Sequence, residues 1–133
     1  MSQENAELVR AAYDAYNREG INGIIRYLDP EVEWRNPADS PIAGVFVGHQ
    51  GVLEWQRLAD QAFESMQFEP ERIDELPGGR TLAVSRFRFR ARAGGMDAEV
   101  AFVHLITWRG GTATAVRMFT SEAAALADLG LQE

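Results

Sequence analysis

Cysteine and lysine are both absent from this chain, and histidine occurs only twice, at His49 and His104. The missing thiols exclude disulfides, thiolate metal sites and a cysteine nucleophile. Two histidines with no carboxylates at metal-ligand spacing provide no zinc-type motif, so no metal is expected. All 13 basic residues are arginine, set against 20 acidic ones, for a net charge of -7. That balance argues against nucleic-acid binding. No apolar run approaches the roughly 20 residues a membrane span needs. The opening Met1-Ser2-Gln3-Glu4-Asn5 is polar and has no apolar stretch behind it, so no leader is expected. The expectation is a cytoplasmic protein that binds neither membrane nor nucleic acid.

What is present is punctuation by glycine. Gly78-Gly79, Gly94-Gly95 and Gly110-Gly111 recur at a spacing of 16 residues, each between runs of alternating polarity. Paired glycines adopt the positive φ values that tight hairpins require. Residues 68 to 119 therefore read as four antiparallel strands. Two-residue turns place Ala93 opposite Met96, Arg92 opposite Asp97 and Arg90 opposite Glu99, and likewise Arg86 opposite Glu71 and Arg88 opposite Glu69. Every arginine of Arg86-Phe87-Arg88-Phe89-Arg90-Ala91-Arg92 then meets a carboxylate on one face. This reads as a paired sheet surface rather than a phosphate site.

The same register lines up the other face. Phe87, Phe102 and Phe119 fall in one row. Ser85, His104 and Arg117 fall in the next, with Arg72 at its edge. Ala83, Ile106 and Ala115 follow, with Asp74 at their edge and Trp108 beyond. This face is mostly apolar and is expected to be covered by helices. His104 and Arg117 within it need polar partners.

The first half reads as helical. Val9, Ala12, Tyr13 and Tyr16 form one stripe of a helix over Gln3 to Glu19, stopped at Gly20. A short second helix is expected from Ile21 to Leu28, then a strand at Val32-Glu33-Trp34 and a loop over 35–48 with a short strand at Val45 to Val47. A third helix is expected from Gln50 to Met66, burying Val52, Trp55, Ala59, Ala62, Phe63 and Met66. A last helix, capped by Thr120-Ser121, ends at Gly130. A length of 133 residues with 46% hydrophobic residues suits one domain spanning 1–133.

Particular segments carry a resemblance: Tyr13-Asp14-Ala15-Tyr16-Asn17-Arg18-Glu19-Gly20, Leu28-Asp29-Pro30-Glu31-Val32-Glu33-Trp34, Gly48-His49-Gln50-Gly51-Val52 and His104-Leu105-Ile106-Thr107-Trp108-Arg109-Gly110-Gly111. Phe119-Thr120-Ser121-Glu122-Ala123-Ala124-Ala125-Leu126 with Gly130-Leu131 adds to it. The chain resembles SnoaL-like proteins of the nuclear-transport-factor-2-like superfamily, which also holds ketosteroid isomerase-like and limonene epoxide hydrolase-like members. The resemblance implies an α+β fold, a cone-shaped barrel of N-terminal helices on a strongly curved, mainly antiparallel sheet with a short C-terminal helix. It also implies a homodimer. The outer-face residues Val84, Val103, Leu105, Val116 and Met118, with Leu82 and Ile73 beside them, have no evident helix to cover them and would form its interface. Where similar sequences carry a carboxylate after the last strand this chain has Ser121, and where they carry tyrosine it has Phe119. A directly copied isomerase or hydrolase mechanism does not follow.

Two functions stay open. In the first, a small, mostly apolar carbonyl or epoxide compound enters the cone. His104 moves a proton, Arg117 stabilises the developing negative charge, and no cofactor takes part. The product class is that of an isomerase, cyclase or hydrolase. In the second, the domain binds a small apolar or weakly acidic ligand, or associates, without turnover. Tyr13, Tyr16, Trp34, Trp55, Phe63, Ser85, Phe87, Phe102, Ile106 and Phe119 are the candidate pocket residues. Each also has a plain structural reading: aromatics at these spacings as core, Arg117 as a salt bridge, Ser85 as a hydrogen-bond spacer, His104 as a core histidine. His49, at the entry to the third helix, is expected to shape that junction. Residues 35–48 are a candidate lid.

Overall fold

The computed structural model describes residues 2–132, with side chains from 4 to 130. Helix α1 spans Ser2–Glu19. Gly20 stops it at φ 74°, its N–H donating to the Tyr16 carbonyl at 2.7 Å. Helix α2 covers only Ile21–Ile24 and tightens into a 3₁₀ turn at Ile25–Tyr27. Strand β1 is Leu28–Asn36, longer than the short strand expected. Its Pro30 is tolerated because β1's ladder with β6 (Thr112–Phe119) breaks between Leu28 and Glu33. Strand β2 is Gly44–Val47, and helix α3 follows at Gly48–Ala62. The chain passes from α3 into β3, Phe63–Leu76, without a loop, so Phe63 and Met66 open a strand instead of closing a helix. Strands β4, Arg80–Ala91, and β5, Asp97–Arg109, complete the meander with β6. Helix α4 is Glu122–Gln132. Its Ala124 N–H donates to Ser121 Oγ at 3.1 Å, the expected cap, and the helix continues through Gly130 instead of stopping there.

The six strands form one curved sheet in the order β2-β1-β6-β5-β4-β3. Only β1 and β6 run parallel. Helices α1 and α3 lie in its concavity, and the main core is packed there. Gly51 shows how closely: a Cβ at that position of α3 would sit 2.8 Å from the Phe46 carbonyl carbon of β2. This is the α+β architecture the sequence led us to expect. Among the described residues, no helix is long and apolar enough to cross a membrane.

All three glycine pairs take positive φ and all three hairpins form. The registers differ in ways that matter. In the β4–β5 hairpin Arg90 faces Asp97 and Arg88 faces Glu99, two residues away from the expected pairing, because the loop is longer than Gly94-Gly95 alone. In the β3–β4 hairpin Arg86 faces Glu69: Leu76 faces Arg80, so the loop is one residue longer than Gly78-Gly79 alone, and a bulge between Pro70 and Arg72 absorbs one more. A shift of two keeps side chains on their face, so ion pairs survive, some directly opposite and some diagonal. Arg86 bonds Glu71 at 2.5 Å and Glu99 at 3.0 Å; Arg88 bonds Glu99 at 2.6 Å and Glu69 at 3.1 Å. Arg90 pairs with Asp97, whereas Arg92 donates to the Asp60 backbone carbonyl rather than to a carboxylate.

The β5–β6 hairpin shifts by one. Trp108 pairs with Ala113, but Thr107 pairs with Ala115, leaving Thr114 as the extra residue. Its hydroxyl donates to the Thr107 carbonyl at 3.4 Å. An odd shift reverses facing for the rest of the strand. Val116 and Met118 therefore point into the cone, while Arg117 and Phe119 point outward, opposite Leu105 and Val103. This overturns the expected rows that joined Phe119 to Phe87 and Arg117 to His104.

The outer face is corrected as well. Helix α4 folds back over it, seating Ala125 and Leu129 against Leu82, Val103, Leu105 and Phe119. Val103 and Leu105 are 1% and 4% exposed, and Val84 is half-buried at the edge of this cluster. The apolar row proposed as a homodimer interface is thus partly turned inward, at Val116 and Met118, and partly covered by the chain's own last helix.

Candidate functional site

Alternation along β5 aims His104 into the cone from the sheet, and the helical stripe of α1 aims Tyr13 at it from the opposite side. Tyr13 Oη and His104 Nδ1 lie 2.5 Å apart in a shared, buried hydrogen bond. Burial lowers the imidazole pKa to about 3, so the ring is neutral at physiological pH. Burial also pushes the Tyr13 hydroxyl well above its ordinary range, with a smaller opposing effect from the nearby Ser85 hydroxyl. Ser85 is 1% exposed, and its Oγ makes no hydrogen bond of ordinary geometry. Aromatic edges frame the imidazole: Phe102 meets it at 4.6 Å and Trp34 at 5.9 Å between ring centres.

A cavity of about 70 Å³ opens beside this pair. Tyr13, Tyr16, Trp34, Trp55, Ile106 and His104 line it. Val9, Leu28, Phe68, Trp108 and Val116 also line it, and the sequence reading had not assigned them to a pocket. Among the described residues, no charged one lines it. Most of its polar handles are already used. The Trp34 indole donates to Asn36 Oδ1 at 3.1 Å, the Trp108 indole to Thr81 Oγ1 at 3.0 Å, and the Tyr16 hydroxyl to Gln56 Oε1 at 2.7 Å.

A second, smaller cavity of about 40 Å³ lies on the other side of Trp55 and Phe68. Phe63, Phe87 and Phe102 line this one, so the candidate pocket residues divide between two chambers. Part of the segment expected as a lid, Ser40 to Ile42, covers the second chamber and not the first. Asn36 fastens that segment by donating to the Ile42 carbonyl at 2.8 Å. Asn17 of α1, which the sequence reading did not single out, grips the backbone of Phe68 from both sides. Its amide donates to the Phe68 carbonyl at 2.6 Å and accepts from the Phe68 N–H at 3.0 Å.

Three expected site residues fall outside both chambers. Ser85 lies behind Tyr13. Phe119 belongs to the outer cluster under α4. Arg117 forms a two-pronged bond with Asp128 of α4, at 2.6 and 2.9 Å. Arg117 and His104 therefore share no enclosed space, and the guanidinium is not placed to stabilise charge inside the cone. His49 donates through Nε2–H to the Leu28 carbonyl, 2.8 Å away, tying the start of α3 to β1. Among the described residues no group of three or more histidine, aspartate or glutamate side chains could hold a metal ion.

The sequence pattern of the SnoaL-like domain family matches residues 9–116. Similar solved structures include an NTF2-like protein of unknown function from Burkholderia pseudomallei, 25% identical, with a TM-score of 0.80 over 92% of this chain and 95% of that one. TerC, crystallised with polyporic acid, is 26% identical with a TM-score of 0.78, covering 94% of this chain and 96% of that one. A putative SnoaL-like polyketide cyclase from Jannaschia sp. shares the fold at 15% identity and a TM-score of 0.75, covering 94% of this chain and 90% of that one. No curated protein matches the chain.

Proposed function

The chain belongs to the SnoaL-like domain family, and on that premise we propose that it binds a small, largely apolar molecule in the cone between α1, α3 and the sheet. The observation that carries this reading is the cavity itself: aromatic and aliphatic walls, no charged lining residue, and the Tyr13–His104 pair as its polar feature. The crystallisation of TerC with polyporic acid is in keeping with such a ligand. Binding without turnover fits this site better than catalysis. A general base works best with a pKa near the operating pH. His104, at about 3, is a weak base, and no carboxylate or arginine stands beside it in the cavity.

A second reading keeps the site as a cofactor-free isomerase, cyclase or hydrolase acting on a carbonyl or epoxide compound. The short Tyr13–His104 hydrogen bond favours it, since that pair could pass a proton if ligand binding raised the basicity of the ring. One experiment separates the two. The native protein is titrated with a panel of small carbonyl and epoxide compounds, following heat of binding and product formation separately. Binding with no product is the expected result; product formation abolished by His104→Ala would establish the enzyme. A panel that neither binds nor reacts would remove both.

A further inference from the structure

Among the described residues Ser85 Oγ is the one buried side-chain nitrogen or oxygen with no hydrogen-bond partner. Such a group is rare in a native fold and costs stability when left idle. The register fixes what surrounds it. Opposite it on β3 stands Pro70, which has no N–H to give, and opposite it on β5 stands Phe102, whose side chain is apolar. His104 is its diagonal neighbour on the same inner face, two residues beyond Phe102. Tyr13 reaches this corner from α1. Its hydroxyl bonds His104, and the Ser85 hydroxyl is near enough to hold the Tyr13 pKa below where burial alone would put it. Ser85, Tyr13 and His104 thus form a row of polar groups inside apolar protein.

The row has a direction. Tyr13 Oη and His104 Nδ1 are 2.5 Å apart, a separation that suits an O–H donor and is short for an N–H donor. The phenol therefore gives its hydrogen to Nδ1, and the neutral ring keeps its own on Nε2. The Tyr13 oxygen is left able to accept, and the Ser85 hydrogen is free to turn toward it. We propose that Ser85 is a positioning residue for this pair: its hydroxyl donates to Tyr13 Oη, polarises the phenol toward Nδ1, and so holds His104 as the Nε2–H tautomer. Hydrogen bonds linked in this way strengthen one another. With Nδ1 engaged and Nε2 protonated, the ring can give a hydrogen bond but has no free lone pair to take a proton from a substrate. On the ligand-binding reading above, on which this consequence rests, a ligand that bonds the ring brings an acceptor oxygen.

Nuclear magnetic resonance of the isotope-labelled protein without ligand tests the row, so its outcome is separate from that reading. Native protein should show Nδ1 bare, Nε2 protonated, and a far-downfield Tyr13 hydroxyl proton that Tyr13→Phe deletes. Ser85→Ala should move that proton upfield and move Nδ1 toward the shift of a free imidazole nitrogen. The ring signals of Phe68 and Trp34 should stay in place, which shows the packing intact. A protonated Nδ1 in the native protein would reverse the row and overturn the proposal. A Tyr13 hydroxyl proton that Ser85→Ala leaves unmoved would overturn the role of Ser85.

Discussion

Tyr13 Oη and His104 Nδ1 are 91 positions apart in the chain and 2.5 Å apart in the fold. That hydrogen bond joins α1 to the middle of the sheet, and it surrounds a titratable ring with apolar protein. Folding depresses the imidazole pKa from about 6.5 to about 3. Between those values the unfolded chain takes up a proton that the folded chain refuses. The stability tied to this ring is therefore complete above about pH 6.5 and lost as pH falls toward 3, at up to about 1.4 kcal/mol per pH unit. Denaturant midpoints at pH 7, 5 and 4 should fall more steeply for the native protein than for His104→Gln. Parallel slopes would show that the ring titrates normally.

Tyr13→Phe removes the hydroxyl and strands the His104 nitrogen in an apolar site. The expected loss is about 1–3 kcal/mol, the cost of leaving a buried polar group unpaired. Tyr16→Phe should lose less, since its partner Gln56 is only part-buried and its freed Oε1 can accept from water. Equal midpoints for Tyr13→Phe and native protein in guanidinium titrations would contradict the pairing.

Arg117 belongs to the outer face, where it ties β6 to α4 through Asp128. The two side chains are 31% and 25% exposed, so water screens the pair only partly. A double-mutant cycle of Arg117→Met and Asp128→Asn should give a coupling of about 1–2 kcal/mol in stability. Ligand affinity should stay within about twofold of native, because neither residue touches the cone. A large loss of affinity with unchanged stability would return Arg117 to the binding site.

How far the sequence could foresee this structure depends on which signal each feature left. Paired glycines and charge alternation located the hairpins, and His104 could be placed inside because strand alternation is strict on either side of it. Arg117 could not be placed. Thr112-Ala113-Thr114-Ala115 alternates only between small residues of weak contrast, too little to pin its register, so nothing in the pattern announced that Thr114 would bulge and reverse the strand. Residues Ala125 and Leu129 were legible as helix, but where a terminal helix docks is a long-range matter that local pattern does not encode. The wall between the chambers was hidden for a related reason: Phe68 follows a helix that turns into a strand without any breaker residue.

Gly51 offers a test of close packing. Alanine is intrinsically better than glycine inside a helix by about 1 kcal/mol, and Gly51 has ordinary φ within α3. The added methyl would meet Phe46 backbone atoms at 2.8 Å and 3.2 Å, and backbone cannot rotate away as a side chain can. Overpacking of this kind costs about 1–3 kcal/mol, so Gly51→Ala should be net destabilising. A rise in the thermal midpoint would show that α3 can lift off β2 at no cost.

The last helix covers the outer face, and its removal should show what lies beneath. Truncation after Thr120 would expose Leu82, Val103, Leu105 and Phe119 together, a contiguous apolar surface on an otherwise charged sheet. The truncated chain should be less stable and should form larger species than the full chain at equal concentration by light scattering. Truncation also removes the Arg117–Asp128 bond, so Leu129→Asp serves as the sharper variant: it keeps the helix and that ion pair while placing a charge in the covered cluster. If α4 is the cover, Leu129→Asp should loosen it and raise the measured mass in the same direction. Should both variants keep the mass and midpoint of the full chain, α4 would not be what shields this face.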